Sequence, residues 1–145
     1  MIREYNELDF NKVNVLGRDL DINFIIKLTP ERKCYIYEKN DEILGFITFD
    51  ILIDRVEIID FIVHINHRKK GIGSLLLNKA IEVSISNNCK SISLEVKSTN
   101  KNAISFYIKN NFKNVSTRKR YYENGSIDAY LLYRELWLLW KIYIF

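Results

Sequence analysis

At 145 residues, with 48% hydrophobic and 28% charged residues, the chain has the size of one compact domain, since such domains most often run to about 100–150 residues. A second catalytic domain has no room. Aromatic residues make up 13% and proline occurs once, a composition that supplies a packed core and argues against a disordered linker. The formal charge of +4 is modest, and its basic residues gather at Arg68-Lys69-Lys70 and Arg118-Lys119-Arg120. That points to an anionic ligand; nucleic-acid binders usually carry a longer basic stripe interleaved with exposed aromatics, so no nucleic-acid partner is expected.

Cys34 and Cys89 stand far apart, and the chain has only two histidines. Neither a zinc site nor a disulfide framework is expected, and no metal cofactor. The start, Met1-Ile2-Arg3-Glu4, lacks the apolar stretch of a secretion signal. No apolar run approaches the roughly 20 residues that cross a bilayer. The expectation is a soluble cytoplasmic protein, monomer or homodimer, with no membrane partner.

Ile2 to Tyr5 reads as a short strand, and Asp9 as the N-cap of a helix carrying Phe10, Val13, Leu16 and Leu20 at near-helical spacing. A second short helix is predicted after Asp21, ending near Thr29-Pro30 because proline disfavours helix in the residue before it. Cys34 to Glu38 and Ile43 to Ile53 are rich in β-branched and aromatic residues and form a hairpin about Asn40-Asp41. Asp54-Arg55 turns the chain into Val56 to Ile65, whose near-continuous apolar character predicts a central strand covered on both faces.

Ile72, Leu75, Leu76, Lys79, Ala80 and Val83 recur at helical intervals, with Asn87-Asn88 as a left-handed stop. Ser91 to Lys97 alternates Ile92, Leu94 and Val96 against Ser91, Ser93 and Glu95, a strand with Glu95 pointing off the aliphatic face. Asn102 to Asn110 is a short helix broken at Asn110-Asn111; Phe112 to Tyr121 is extended, and Asn124-Gly125 turns the chain into a last strand, Ile127 to Leu136. Strands, helix, strand, helix and two strands describe an α/β domain with a mixed sheet between helices. It occupies residues 1–136, and 137–145 form an apolar extension.

The chemistry concentrates in Arg68-Lys69-Lys70-Gly71-Ile72-Gly73-Ser74, between the central strand and the most regular helix. Backbone N–H groups in a glycine-bearing strand-to-helix turn converge with the helix dipole, making a pyrophosphate site to which flanking Arg and Lys add charge. The third glycine of a dinucleotide loop and the Gly-Lys-Ser/Thr ending of a Walker loop are both missing. Taken alone, the segment is equally well a charged turn with two glycines at positive φ.

The pattern Arg68-x-x-Gly71-x-Gly73 resembles the pyrophosphate loop of the GNAT acetyltransferases. Leu94-Glu95-Val96, Asn100, Ala103, Tyr107 and Asn111-Phe112, then Arg120-Tyr121-Tyr122, Gly125 and Asp128-Ala129, resemble the series found in the RimI-like ribosomal-protein-alanine N-acetyltransferases. The resemblance covers roughly residues 43 to 136. It implies the GNAT fold, a central, mostly antiparallel mixed sheet flanked by helices, and an acetyl-CoA-dependent transfer of acetyl to a primary amine. It further implies cofactor contacts from the backbone of Phe61, Ile62 and Val63, pyrophosphate contacts from Lys69, Lys70, Gly71, Ile72, Gly73 and Ser74 beside Arg68, and a further contact from Asn100. Glu95 is implied as general base and Tyr107 as general acid.

These types suit the reaction. An α-amine with a pKa near 8 must lose a proton before it attacks, which a carboxylate can take, and a tyrosine hydroxyl can protonate a departing thiolate. Outside the resemblance, Glu95 is simply a solvent-facing strand residue, Tyr107 a half-buried helix aromatic, and Asn100 a helix cap. His64 and His67 are expected to have no catalytic part. Residues 9–30 contain no Pro-Trp-Ser-type segment of the kind those relatives use to shape the peptide cleft. The acceptor therefore stays open between a protein or peptide N-terminus and a small amine of polyamine or aminoglycoside type. A non-catalytic acyl-CoA-binding domain is the remaining alternative. Trp137, Trp140, Tyr143 and Phe145 are expected to pack against the domain or a second subunit, since in water they would form an aggregation-prone patch.

Overall fold

A computed structural model describes residues 1–136; the packing expected of the extension from Trp137 lies outside the described residues. In chain order the elements are β1 (Ile2–Glu4), α1 (Phe10–Gly17), β2 (Arg32–Lys39), β3 (Glu42–Leu52), β4 (Arg55–Val63), α2 (Ile72–Ser86), β5 (Ser91–Lys97), α3 (Lys101–Lys109), β6 (Lys113–Tyr122) and β7 (Ile127–Glu135). The strands form one seven-stranded sheet in the order β1-β2-β3-β4-β5-β7-β6. Every neighbouring pair is antiparallel except β4 with β5, so the expected mixed, mostly antiparallel sheet is what forms.

Alternation along the strands divides the core in two. On one face, α2 buries Ile72, Leu76, Leu77, Ala80 and Ile81 against Ile47, Phe49, Val56, Ile58, Ile92, Leu94 and Val96. On the other, Val13 and Leu16 of α1 meet Cys34, Ile36, Phe46 and Ile62. Each fully buried aliphatic side chain contributes about 1.5–3 kcal/mol. β3 is therefore the strand covered on both sides, buried without a break from Ile43 to Phe49. β4, although central, is not: Ile59 is 40% exposed, and Glu57 and Asp60 are only partly covered. Its apolar run overstated its cover.

The reason is a bulge. Thr48 pairs with Asp60 but Phe49 pairs with Ile58, so Ile59 is an extra residue that bends β4. Thr48, fully buried, pins the bend: its hydroxyl donates to Asp60 Oδ2 at 2.7 Å and accepts from the Asp60 N–H at 3.0 Å.

Of two N-terminal expectations, one holds in position only and the other is overturned. Asp9 stands at the N-cap position of α1, as expected, but makes no side-chain cap there: the Asn6 side chain accepts from the Leu8 N–H, and the Asp9 carboxylate accepts from the Asn6 N–H while holding Arg3. It is the third residue of a capping box around a short 3₁₀ turn. Nor does a helix form between Asp21 and Thr29. The buried Asn14 side chain of α1 takes the Ile26 N–H at 2.8 Å, and the Phe24 ring packs against Gly17, where any Cβ would overlap it. Phe24 then reaches Phe46, ring centroids 5.6 Å apart. Tertiary contacts at Phe24 and Ile26 outweigh a weak local helix signal. α1 ends at Gly17, leaving Leu20 outside it.

Candidate active site

The sheet opens at one place. β4 and β5 pair only at Arg55/Ser91, Val56/Ile92 and Glu57/Ser93, although β4 runs on to Val63 and β5 to Lys97. From Ile58 onward, just before the bulge, the two strands part. Every second backbone N–H and C=O of Phe61, Ile62 and Val63 then faces a gap instead of a ladder. This is what a site for a linear, hydrogen-bonding ligand requires.

At the end of β4 the chain enters the glycine turn. Lys69 has φ 62° and Gly71 φ 87°, so the left-handed geometry falls on Lys69 and Gly71; Gly73 lies inside α2 with no positive φ. Gly71 is the N-cap of α2, offers no side-chain acceptor to the helix, and no acidic residue lies in the first turn. The N–H groups of Ile72, Gly73 and Ser74 thus meet an incoming anion with the positive end of a 15-residue helix behind them. The Arg68 Nε donates to the Val63 carbonyl at 2.9 Å, tying the turn to β4. A Cβ on Gly73 would stand 3.5 Å from Phe106 and 3.7 Å from Val63; the bare Cα lies where α2, α3 and β4 meet. In charge and in exposed N–H groups, the turn fits a diphosphate.

Tyr107 of α3 is 6% exposed. Its ring makes edge contacts with Phe61, Phe106 and Phe112 at centroid distances of 6.3, 5.3 and 5.1 Å. Burial pushes its hydroxyl well above the usual tyrosine value, so it stays protonated at neutral pH. No hydrogen bond joins it to another described residue. Asn100 caps α3, its side chain accepting from the Ala103 N–H at 3.2 Å; the Asn111 stop is left-handed at φ 68°, as is Asn88 at φ 61° after α2.

Glu95 stands on the other face of the sheet, since its neighbours Leu94 and Val96 are the ones buried with Tyr107. It is paired with Arg118 of β6, Nη2 to Oε1 3.3 Å, with side-chain exposures of 29% and 60%. The Arg118 guanidinium lies over the Tyr121 ring at 5.2 Å, and Tyr121 meets Tyr122 edge-on at 5.0 Å. Burial first, and then the charge of Glu95, push the Tyr122 hydroxyl up. Lys97 is engaged by Glu123 at 3.0 Å. The structure thus gathers Phe61, Val63, Gly73 and Tyr107 on one side of the gap and sets Glu95 with the Tyr121-Tyr122 loop on the other. His64 Nδ1 accepts from the Asn66 N–H, a local turn contact.

Two participants were missed in the sequence. Arg118 was visible only as one of three basic residues, and its partner lies 23 positions away across an intervening strand. The Thr48–Asp60 pair had no signal beyond two polar residues in apolar strands. Among the described residues no cluster of His, Cys, Asp or Glu could hold a metal ion, and no helix is long and apolar enough to cross a membrane.

The family model of the acetyltransferase (GNAT) family matches residues 1–112. The match thus begins before the motif-bearing stretch and stops short of the β6–β7 arm. The chain is 39% identical over 87 residues to the N-alpha-acetyltransferase of Saccharolobus solfataricus, an overlap of 59% of this chain and 51% of that protein; it spans about half that relative's length. Among solved structures, the ribosomal-protein-S18-alanine N-acetyltransferase of Escherichia coli superposes with a TM-score of 0.83, covering 94% of this chain and 93% of that one at 18% identity. An aminoglycoside 6'-N-acetyltransferase complexed with coenzyme A superposes at 0.82, covering 94% and 97%, also at 18% identity. At such identities the likeness is one of fold. With an open helix N-terminus beside a parted sheet, and a family model that matches across β1 to α3, the chain belongs to the acetyltransferase (GNAT) family.

Proposed function

We propose that residues 1–136 form an acetyltransferase domain that uses acetyl-CoA to acetylate primary amines, with a protein or peptide N-terminal α-amine as the favoured acceptor. The observation that carries this reading is the placement of Glu95 and Tyr107 on opposite faces of the sheet where β4 and β5 part. Acetyl-CoA, when bound, supplies an activated acetyl thioester. Backbone N–H groups of Lys69 through Ser74 hold the diphosphate, with Arg68 tying the turn to β4, and Asn100 adds a polar contact.

Phe61, Ile62 and Val63 align the ligand by backbone hydrogen bonding, and a fixed N–H there stabilises charge building on the carbonyl oxygen; one such donor is worth about 2.7–4 kcal/mol. Glu95, directly or through water, takes the proton of the ammonium so that the nitrogen's lone pair can attack. Tyr107, kept neutral by burial, donates its proton on the opposite face, where the thiolate leaves. One group removes a proton and the other supplies one, with the sheet between them.

The name of the Saccharolobus relative supports the peptide acceptor. The fold shared with an aminoglycoside acetyltransferase keeps a small-amine acceptor as the second reading. Incubation with acetyl-CoA and a panel of peptides, spermine and aminoglycosides separates them: thiol release is expected to be fastest with peptide N-termini, and equal or faster turnover of the small amines overturns the peptide assignment. Glu95→Gln/Tyr107→Phe tests the non-catalytic alternative. Unchanged thiol release in that variant removes both assigned roles.

A further inference from the structure

We propose that Arg118 is a specificity-determining residue that selects acceptors carrying a carboxylate on the second residue, making acidic peptide N-termini the substrate class. The inference rests on the reading of Glu95 as the base facing the acceptor and adds to it a use for the second basic run, which the phosphate turn does not employ.

The observations are these. β6 is exposed along almost its whole length, and the ladder with β7 is irregular between Arg118 and Tyr122. Arg120 has φ 55° and its N–H is held by Asp128 Oδ1 at 2.9 Å. This irregularity carries Tyr121 back under the Arg118 guanidinium, centroid distance 5.2 Å. A guanidinium lying on an aromatic face keeps its N–H edges free for planar acceptors. Arg118 spends one nitrogen on Glu95, at 3.3 Å. Among the described residues its other donors have no partner, and neither Lys119 nor Arg120 forms an ion pair.

The geometry converts this into a register. An amine hydrogen-bonded to Glu95 Oε1 lies about 3 Å from it, and the Arg118 nitrogen lies 3.3 Å from the same oxygen, so that nitrogen is within about 6 Å of the reacting amine. An extended chain advances about 3.5 Å per residue, so an acceptor's second side chain is within reach of Arg118. A carboxylate accepts several hydrogen bonds at once, so Glu95 can hold the amine without losing Arg118, and the free edge of Arg118 pairs with the acceptor's acid. Around Glu95 stand Arg118, ion-paired with it, and the neutral Tyr122 hydroxyl, which feels the charges of Glu95, Lys97 and Arg118.

The test compares peptides that differ only at the second residue, Ala-Glu against Ala-Gln against Ala-Lys, in acetylation rate and, by fluorescence anisotropy with coenzyme A present, in binding. The wild type is expected to favour Ala-Glu over Ala-Gln by about tenfold in kcat/KM, mostly through KM. Arg118→Gln should bring that ratio to about one, Arg118→Lys should restore part of it, and Arg118→Glu should turn preference toward Ala-Lys. No preference in the wild type, or a ratio unchanged in Arg118→Gln, overturns the proposal. So does tighter binding of single-stranded RNA than of Ala-Glu peptide, with that RNA binding lost in the Arg118 variants. If Glu95→Gln keeps full rate on every peptide, the assignment of the base fails instead. The charge preference in binding still reports on Arg118 separately.

Discussion

On the α2–α3 face of the gap, Tyr107 is enclosed by Phe61, Phe106 and Phe112, and among the described residues no ion pair reaches it. On the opposite face Glu95 is part of an open ionic group with Arg118, near Lys97 and the tyrosine pair. β5 borders both: Leu94 and Val96 are buried with Tyr107 of α3 on one face, and Glu95 between them falls on the other, because successive strand side chains alternate faces. A dry face keeps a hydroxyl protonated, and a wet face keeps a carboxylate reachable by a charged amine. The sheet therefore keeps a buried tyrosine hydroxyl and a more open carboxylate apart, the separation on which the proposed proton transfers depend.

The comparison breaks most visibly at Glu95. Glu95→Gln should lower kcat by about 10²–10⁴, the range for a lost general base, with the KM for acetyl-CoA nearly unchanged. A fall below fivefold would show that another group takes the proton. Tyr107→Phe should cost about 10–10² in kcat while leaving the fold intact, since the aromatic contacts persist; steady-state thiol release with a thermal melt alongside checks both. The two variants should differ in peptide binding, which only Glu95→Gln perturbs.

A smaller effect is expected at the turn. Gly71 has φ 87° and nothing within 4 Å of a Cβ built there, so Gly71→Ala introduces no clash but places a side chain in a conformation that costs about 1–2 kcal/mol. The KM for acetyl-CoA should rise about tenfold. Gly71→Asn, which tolerates the left-handed region, should stay within about threefold of wild type. Equal defects in both would mean that bulk, not backbone conformation, is what the turn excludes.

The smallest effect lies at the far edge of the sheet. Arg3 joins Asp9 at 2.8 Å and Glu38 at 2.9 Å, and its hydrogen bonds hold both carboxyls below their usual range. A carboxyl whose folded pKa is depressed contributes stability that is fully present above the unfolded value, about 3.9 for Asp, and is lost as pH falls through the folded value. Asp9→Asn should therefore lower the melting temperature by a few degrees at pH 7, a cost of about 1 kcal/mol. The gap between variant and wild type should hold down to about pH 5 and close below pH 4. A gap that widens on acidification would refute the pairing. Activity should be unaffected, because the triad is remote from the parted strands.

Much of the architecture was legible because its signals are local. α2 announces itself through apolar spacing from Ile72 to Val83 and an Asn stop; β5 through alternation of Ile92, Leu94 and Val96; the hairpin turn through Asn40 and Asp41, both at positive φ. The segment from Asp21 to Thr29 was misread because its conformation is imposed by Asn14 and by the fit of Phe24 over Gly17, neither of which a local window contains. The cover of β4 was misread because a bulge at Ile59 changes which side chains face the core without changing composition.

The amino-acid order by itself determined most of the elements, several of the left-handed turns and the chemical types available for phosphate and proton transfer, since these depend on neighbours a few positions apart. The three-dimensional fold decided where β4 and β5 stop pairing, that Glu95 and Tyr107 fall on opposite faces of that opening, and that Arg118 reaches Glu95 across β7. Those facts depend on strand register and on contacts between residues distant along the chain, whose closure is set by the packing of the whole sheet.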